Sequence, residues 1–199
     1  LSIRRQRQMC IRDSGNPGAQ YALHRHNIGF MAVDAIAERY AFGPWKTRFL
    51  GLAREGRIGD HKVTLLKPAT FMNESGRSVG EAVRFFKLDP AEALTVFYDE
   101  LDLDPFRVKV KHGGGAAGHN GIRSIDAHLG PDYRRVRLGI GHPGHRDRVS
   151  PHVLGNFAKA EMEPLADLLG VVAAEVPWLL AGDEARFMSE IALRTVPQR

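Results

Sequence analysis

The residues in this chain best suited to chemistry are His26, Asp99 and three asparagines, Asn16, Asn73 and Asn120, all far apart in sequence. A carboxylate beside an imidazole fixes the ring's tautomer and stabilises the imidazolium, so the other ring nitrogen can take a proton from water. Nine histidines are present, so chance alone would bring one near some aspartate. The asparagines narrow the choice. Each offers a neutral donor and acceptor, suited to holding peptide amides and a developing oxyanion without adding charge beside the base. A serine nucleophile has no support, because no G-x-S-x-G elbow occurs. The acidic run from Asp99 to Asp104 lacks the glycine and distal glutamate of a calcium loop, and one cysteine without clustered histidines makes no zinc motif. The expectation is hydrolytic or binding chemistry with no metal and no cofactor.

A second feature is His112–Arg123, HGGGAAGHNGIR, in which five of twelve residues are glycine. Ile122, Ile125 and Leu129 follow at the spacing of one buried helical face, and Asn120 stands where a helix cap would stand. Glycines before a helix start let backbone approach a ligand closely, and free N–H groups there favour an anion or a carbonyl oxygen. A glycine run alone is often only a hinge. Here His119-Asn120, with Lys111 before the loop and Arg123 after it, favours a ligand-facing role. Charge agrees: residues 105–150 hold nine Lys/Arg against three Asp/Glu, whereas 151–199 hold four against seven. Clustered basic charge of this kind suits a nucleic acid or nucleotide partner.

The elements that must position these groups follow from periodicity. At 199 residues, 43% hydrophobic and 26% charged, the chain suits one globular domain. No apolar run approaches the roughly 20 residues of a membrane span, and the lone Cys10 fits a reducing compartment. Asn27 is placed to cap a helix running to about Tyr40. Leu50–Ile58 and Lys62–Leu66 flank Gly59-Asp60-His61 as a hairpin, Phe71–Asn73 forms a loop, and a helix runs from near Ser75 to Lys87. Leu94–Tyr98 predicts a buried strand ending at Asp99. Phe106–Lys111 alternates apolar and basic residues, and Tyr133–Ile140 predicts a further strand. Residues 158–180 and 184–193 are helical in pattern, with Gly170 and Pro177 expected to bend or break the first. Helices interleaved with strands, plus one hairpin, predict an α/β three-layer sandwich: a single domain with a mixed, mostly parallel twisted sheet and helices on both faces. Residues 1–14 stand apart, with four arginines and no period, and are expected to be a non-native addition to a domain spanning 15–199.

Six short motifs then carry a resemblance. Gly15-Asn16-Pro17-Gly18 comes first and Tyr21 with His26-Asn27 second, then Phe71-Met72-Asn73 with Ser75-Gly76, and Asp99-Glu100-Leu101-Asp102. The Gly113–Gly121 loop and Arg137-Leu138-Gly139-Ile140-Gly141-His142-Pro143-Gly144 complete the series. In this order they resemble bacterial-type peptidyl-tRNA hydrolase from Gly15 to about Phe157, and more loosely beyond. The resemblance implies an α/β fold of the phosphorylase/hydrolase kind and cleavage of the ester joining a peptide to the 3′ end of tRNA. It implies His26 as general base supported by Asp99, and Asn16 as a reader of the N-blocked group. Tyr21, Phe71, Met72, Asn73, His119 and Asn120 would line the substrate site, with His119 in a gating role, while Lys111 and Arg137 would clamp a tRNA phosphate. It further implies a monomer that takes peptidyl-tRNA without cofactor, metal or membrane. A non-catalytic RNA-binding relative is the alternative, and such a relative would be expected to have lost the base or the asparagines. One departure stands out: where the family carries an apolar strand of the form L-I-V-G-L, this chain has Cys10-Ile11-Arg12-Asp13-Ser14. Charges unpaired in a central strand would cost several kcal/mol each.

Overall fold

The computed structural model describes residues 21–195, together with the backbone of residues 7–12. The turn predicted at Gly15–Gly18, Asp13 and the candidate Asn16 lie outside the described residues. Seven strands form one sheet: β1 (Arg7–Arg12), β2 (Lys46–Arg48), β3 (Gly51–Ile58), β4 (His61–Pro68), β5 (Leu94–Glu100), β6 (Val108–His112) and β7 (Arg134–Gly139). Their order is β2-β3-β4-β1-β5-β7-β6. The four central strands β4, β1, β5 and β7 run parallel, and antiparallel strands flank them on both sides. Residues 10–12 of the segment expected to disturb the sheet lie in β1, at its middle, with backbone register from Arg7 opposite Lys62 to Ile11 opposite Leu66.

The helices are α1 (Ile28–Arg39), α2 (Ser75–Phe86), the single turn α3 (Pro90–Ala93), α4 (Asn120–Leu129), the short α5 (Val149–Val153), α6 (Met162–Leu180) and α7 (Glu184–Arg194). One face of the sheet is covered by α1, α6 and α7, whose Ile28, Ile36, Leu168, Val176 and Phe187 pack on Leu65, Phe97 and Val136. The other is covered by α2 and α4, whose Val79, Val83, Ile122 and Ile125 pack on Leu66, Val96 and Tyr98. Covered on both faces, all seven residues of β5 are buried, which is why Leu94–Tyr98 reads as a continuous run without alternation.

The start of the long C-terminal helix and the expected break within it are corrected. Lys159–Glu161 is a separate 3-10 turn, and α6 continues unbroken through Gly170 and Pro177. Proline removes the N–H that would bond the carbonyl four residues back. That carbonyl belongs to Ala173, and it accepts instead from the Tyr40 hydroxyl at 3.1 Å. Gly170 is exposed and costs a surface helix only about 1 kcal/mol.

Candidate active site

His26 lies in the 3-10 turn Arg25–Asn27 that leads into α1. Two neighbours fix that turn. Asn27 is buried and its Nδ2 donates to the Tyr21 carbonyl at 2.6 Å, so it holds the N-cap position of α1 without capping it through its side chain. Arg25 reaches the far end of the chain, donating to the Asn156 carbonyl at 2.7 Å and to Glu161 at 2.6 Å. Asp99 is delivered by the end of β5, and its carboxylate is almost fully buried, at 2% exposure.

The two groups meet as the sequence suggested: His26 Nδ1 is 2.6 Å from Asp99 Oδ1. A third group joins them. His119 Nε2 lies 3.1 Å from the same Asp99 oxygen. His119 is the N-cap of α4, and its Nδ1 accepts from the Ile122 N–H at 3.4 Å. That bond places the His119 proton on Nε2, directed at Asp99. The cap that sequence assigned to Asn120 thus falls to His119, with Asn120 as the first helical residue. The two imidazoles stand edge to face at 5.1 Å, and Tyr98 packs edge-on against His119 at 5.3 Å. Burial alone would raise the Asp99 pKa, but charge and hydrogen bonds from His26 and His119 outweigh it and hold the carboxyl well below the usual range.

His26, Asp99 and His119 also offer donor atoms within 4.8 Å of one another, a set that could hold a metal ion. Local spacing gives no hint of this group, because its members come from three separate segments. In the arrangement described, both imidazoles point a ring nitrogen at one carboxylate oxygen, which makes the cluster a hydrogen-bonded relay.

The relay opens onto a cleft of about 650 Å³. Its floor includes His26, Asp99 and Glu100, and one wall is the glycine-rich loop with Ala116, Gly118, His119 and Asn120. Met72 contributes from a 3-10 turn, and Arg146, Val149, Val153 and Leu154 form the opposite wall. Of the candidates read from sequence, Met72, His119 and Asn120 line this cleft, and Tyr21, Phe71 and Asn73 do not. Phe71 is 75% exposed, Asn73 is exposed on the same turn, and Tyr21 packs edge-on against His24. The wall from Arg146 to Leu154 escaped sequence reading because its residue types are ordinary and only the fold brings them opposite His119.

The basic residues form a ladder beside the cleft. In the antiparallel pair β6–β7, Lys109 stands opposite Arg137 and Lys111 opposite Arg135, on the face covered by α4. Arg135 is fully buried, donating to Asp126 at 2.7 Å and to the Gly115 and Pro131 carbonyls at 3.2 and 3.1 Å. Lys111 Nζ reaches the Gly115 carbonyl at 3.4 Å. Partial burial, then the charges of Arg135 and Arg137, lower the Lys111 pKa. Arg137 donates from Nε to Glu100 at 2.8 Å. Burial opposes its charge, but the Glu100 carboxylate prevails and its pKa is raised. The alternation of β6 foretold Lys109 and Lys111 on one face, the first exposed and the second half-buried. Nothing local foretold the buried arginine or its bond to the glycine loop.

An imidazole held by a carboxylate from the end of a parallel strand, facing a cleft that Arg146 also lines, fits a hydrolase built on a three-layer α/β sandwich. The family described as peptidyl-tRNA hydrolase matches residues 13–198. The chain is 69% identical over 180 residues to the peptidyl-tRNA hydrolase of Rhizorhabdus wittichii, covering 90% of this chain and 95% of that protein. Identity to the Erythrobacter litoralis peptidyl-tRNA hydrolase is 66% over the same shares. The crystal structure of peptidyl-tRNA hydrolase from Acinetobacter baumannii superposes with a TM-score of 0.86 at 40% identity, covering 96% of this chain and 97% of that one. The chain belongs to the peptidyl-tRNA hydrolase family.

Proposed function

We infer that the chain hydrolyses the ester between a peptide, or an N-blocked aminoacyl group, and the 3′ end of tRNA. The observation that carries this is the 2.6 Å contact of His26 Nδ1 with buried Asp99 at the floor of an open cleft. With Nδ1 committed to the carboxylate, Nε2 is the nitrogen left to accept a proton from water. The water attacks the ester carbonyl, Asp99 stabilises the imidazolium that forms, and the imidazolium returns its proton to the departing ribose oxygen. An ester needs less leaving-group assistance than an amide, so one base with preorganised neutral donors suffices. Asn120 in the cleft wall suits the role of amide or oxyanion partner, and Met72 that of an apolar contact. In this reading Tyr21, Phe71 and Asn73 contact the parts of the substrate that extend beyond the cleft, and Asn16 reads the N-blocked group. His119 shares Asp99 with His26, which gives it a part in orienting the carboxylate besides any gating of the loop.

Lys111 and Arg137 take a tRNA phosphate, and recognition runs through backbone charge and acceptor shape instead of base edges. The enzyme works as a cytoplasmic monomer without a metal. Among the described residues no helix is long and apolar enough to cross a membrane. A binding-only relative would have no use for a carboxylate kept ionised between two imidazoles. Incubation with N-blocked and with free aminoacyl-tRNA, each with and without chelator, tests the reading. Rapid release of the blocked group alone, unaffected by chelator, is expected. Persistence of the blocked ester would refute hydrolysis, and loss of activity on chelation would refute the metal-free mechanism.

A further inference from the structure

Asp99 and Glu100 are consecutive on β5, so their side chains leave the strand on opposite faces. Asp99 shares the face of Phe97, toward α1, and bonds His26. Glu100 shares the face of Tyr98 and bonds Arg137. Both carboxylates also border the cleft. The Glu100 side chain is 6% exposed and is held at both oxygens, Oε2 by Arg137 at 2.8 Å and Oε1 by the Asp102 N–H at 3.2 Å. Burying a carboxylate is unfavourable unless it is paired, and nothing in proton transfer at His26 calls for this one. Arg137 keeps 22% of its side chain exposed, on the same sheet face as Lys109, Lys111 and Arg135. Arg137 also hydrogen-bonds the Tyr98 side chain, and a guanidinium held at Nε by Glu100 and steadied by Tyr98 keeps a fixed plane, the geometry that suits a phosphate.

We propose that Glu100 is a positioning residue, which fixes the Arg137 guanidinium as an anion-binding group at a set spacing from the His26–Asp99 pair. One strand end thus registers two sites: a backbone phosphate on Arg137 brings the ester to the imidazole. The inference rests on the ester-hydrolase reading of the cleft. It makes Glu100 act on binding of the remote part of the substrate and not on chemistry.

The test uses the full chain and two substrates, N-blocked aminoacyl-tRNA and an N-blocked aminoacyl ester of a nucleoside that has no phosphate. Glu100→Gln is expected to raise KM for the tRNA substrate about tenfold with kcat within about twofold. Its loss in kcat/KM for the nucleoside ester should be several-fold smaller than for the tRNA substrate, and the salt slope of tRNA binding should fall by about one. Its effect should vanish in an Arg137→Gln background. Arg137→Lys keeps the charge but loses the Nε bond, and it should raise KM likewise, which covers the case of an unfolded Glu100 variant. Affinity for uncharged tRNA should fall in parallel. That readout decides the role of Glu100 even if the wild-type protein cleaves neither ester, a result that would count against the hydrolase reading alone. Equal losses on both substrates, full additivity with Arg137→Gln, unchanged KM in Arg137→Lys, or tighter tRNA binding by Glu100→Gln would each overturn the proposal.

Discussion

Replacing Asp99 with Asn removes one charge and almost no volume from the centre of the relay. Its Oδ1 now accepts from His26 at 2.6 Å and from His119 at 3.1 Å. An amide oxygen can still accept both bonds, so the ground state should survive. What is lost is the attraction between a carboxylate and the imidazolium formed as water gives up its proton. For unit charges about 4 Å apart at an effective dielectric near 20, that attraction is ~4 kcal/mol. Allowing for the retained hydrogen bond, roughly 3–4 kcal/mol should appear in the barrier, a fall in kcat of about 10²–10³. KM should stay within about threefold, because the carboxylate is 2% exposed and no ligand group is expected to touch it. Single-turnover hydrolysis of N-blocked aminoacyl-tRNA measures the first quantity and substrate titration the second. A melting temperature within about 5 °C of wild type would show the fold intact. If Asp99→Asn folds normally and keeps kcat within threefold, the carboxylate does not stabilise the imidazolium and the mechanism fails.

Acidity offers a second check. A depressed folded pKa means that the stability contributed by Asp99 is present above the ordinary carboxylate range and is lost only as pH falls through the lower folded value. Between about pH 5 and 8 Asp99 therefore stays ionised, and its carboxylate should show no titration step by carbon-13 NMR across that range; a step there would contradict the paired, ionised carboxylate on which the mechanism relies. Gly76→Ala should destabilise by about 2–3 kcal/mol, lowering the melting temperature by about 5–10 °C. Its Cβ would sit 2.1 Å from the Ser124 carbonyl oxygen where α2 crosses α4, and unchanged melting would mean that crossing is not close-packed. Arg135→Met should cost about 1–2 kcal/mol, because Asp126 keeps the Tyr133 hydroxyl at 2.8 Å and is 20% exposed, and it should speed hydrogen exchange across residues 113–118, whose Gly115 carbonyl it releases. Unaltered exchange there would show that Arg135 does not anchor the loop.

Much of this was legible in the sequence, for a local reason in each case. The hairpin could be read because Gly59 adopts a φ of +55° at the turn between β3 and β4. Buried β5 could be read from its apolar run, and the basic face of β6 from its alternation. The pairing of His26 with Asp99 could be anticipated from residue type and family resemblance, across 73 positions of chain. Tertiary chemistry without a local signature stayed hidden. The sharing of Asp99 by two imidazoles depends on His119 capping α4, where Asn120 is by type the better cap. At Pro177 in α6, the carbonyl left without its helical donor is answered by Tyr40, the residue that follows α1. Glu100 looked like one more acid in an acidic run until its partner on β7 was in view.

The central claim is that the His26 imidazole takes the proton from the attacking water. Single-turnover hydrolysis of N-blocked aminoacyl-tRNA by His26→Asn, at saturating enzyme and neutral pH, tests it most directly. The expected result is a rate lowered at least about 10²-fold with tRNA affinity retained. A rate within a few fold of wild type would contradict the account, whatever the geometry around Asp99.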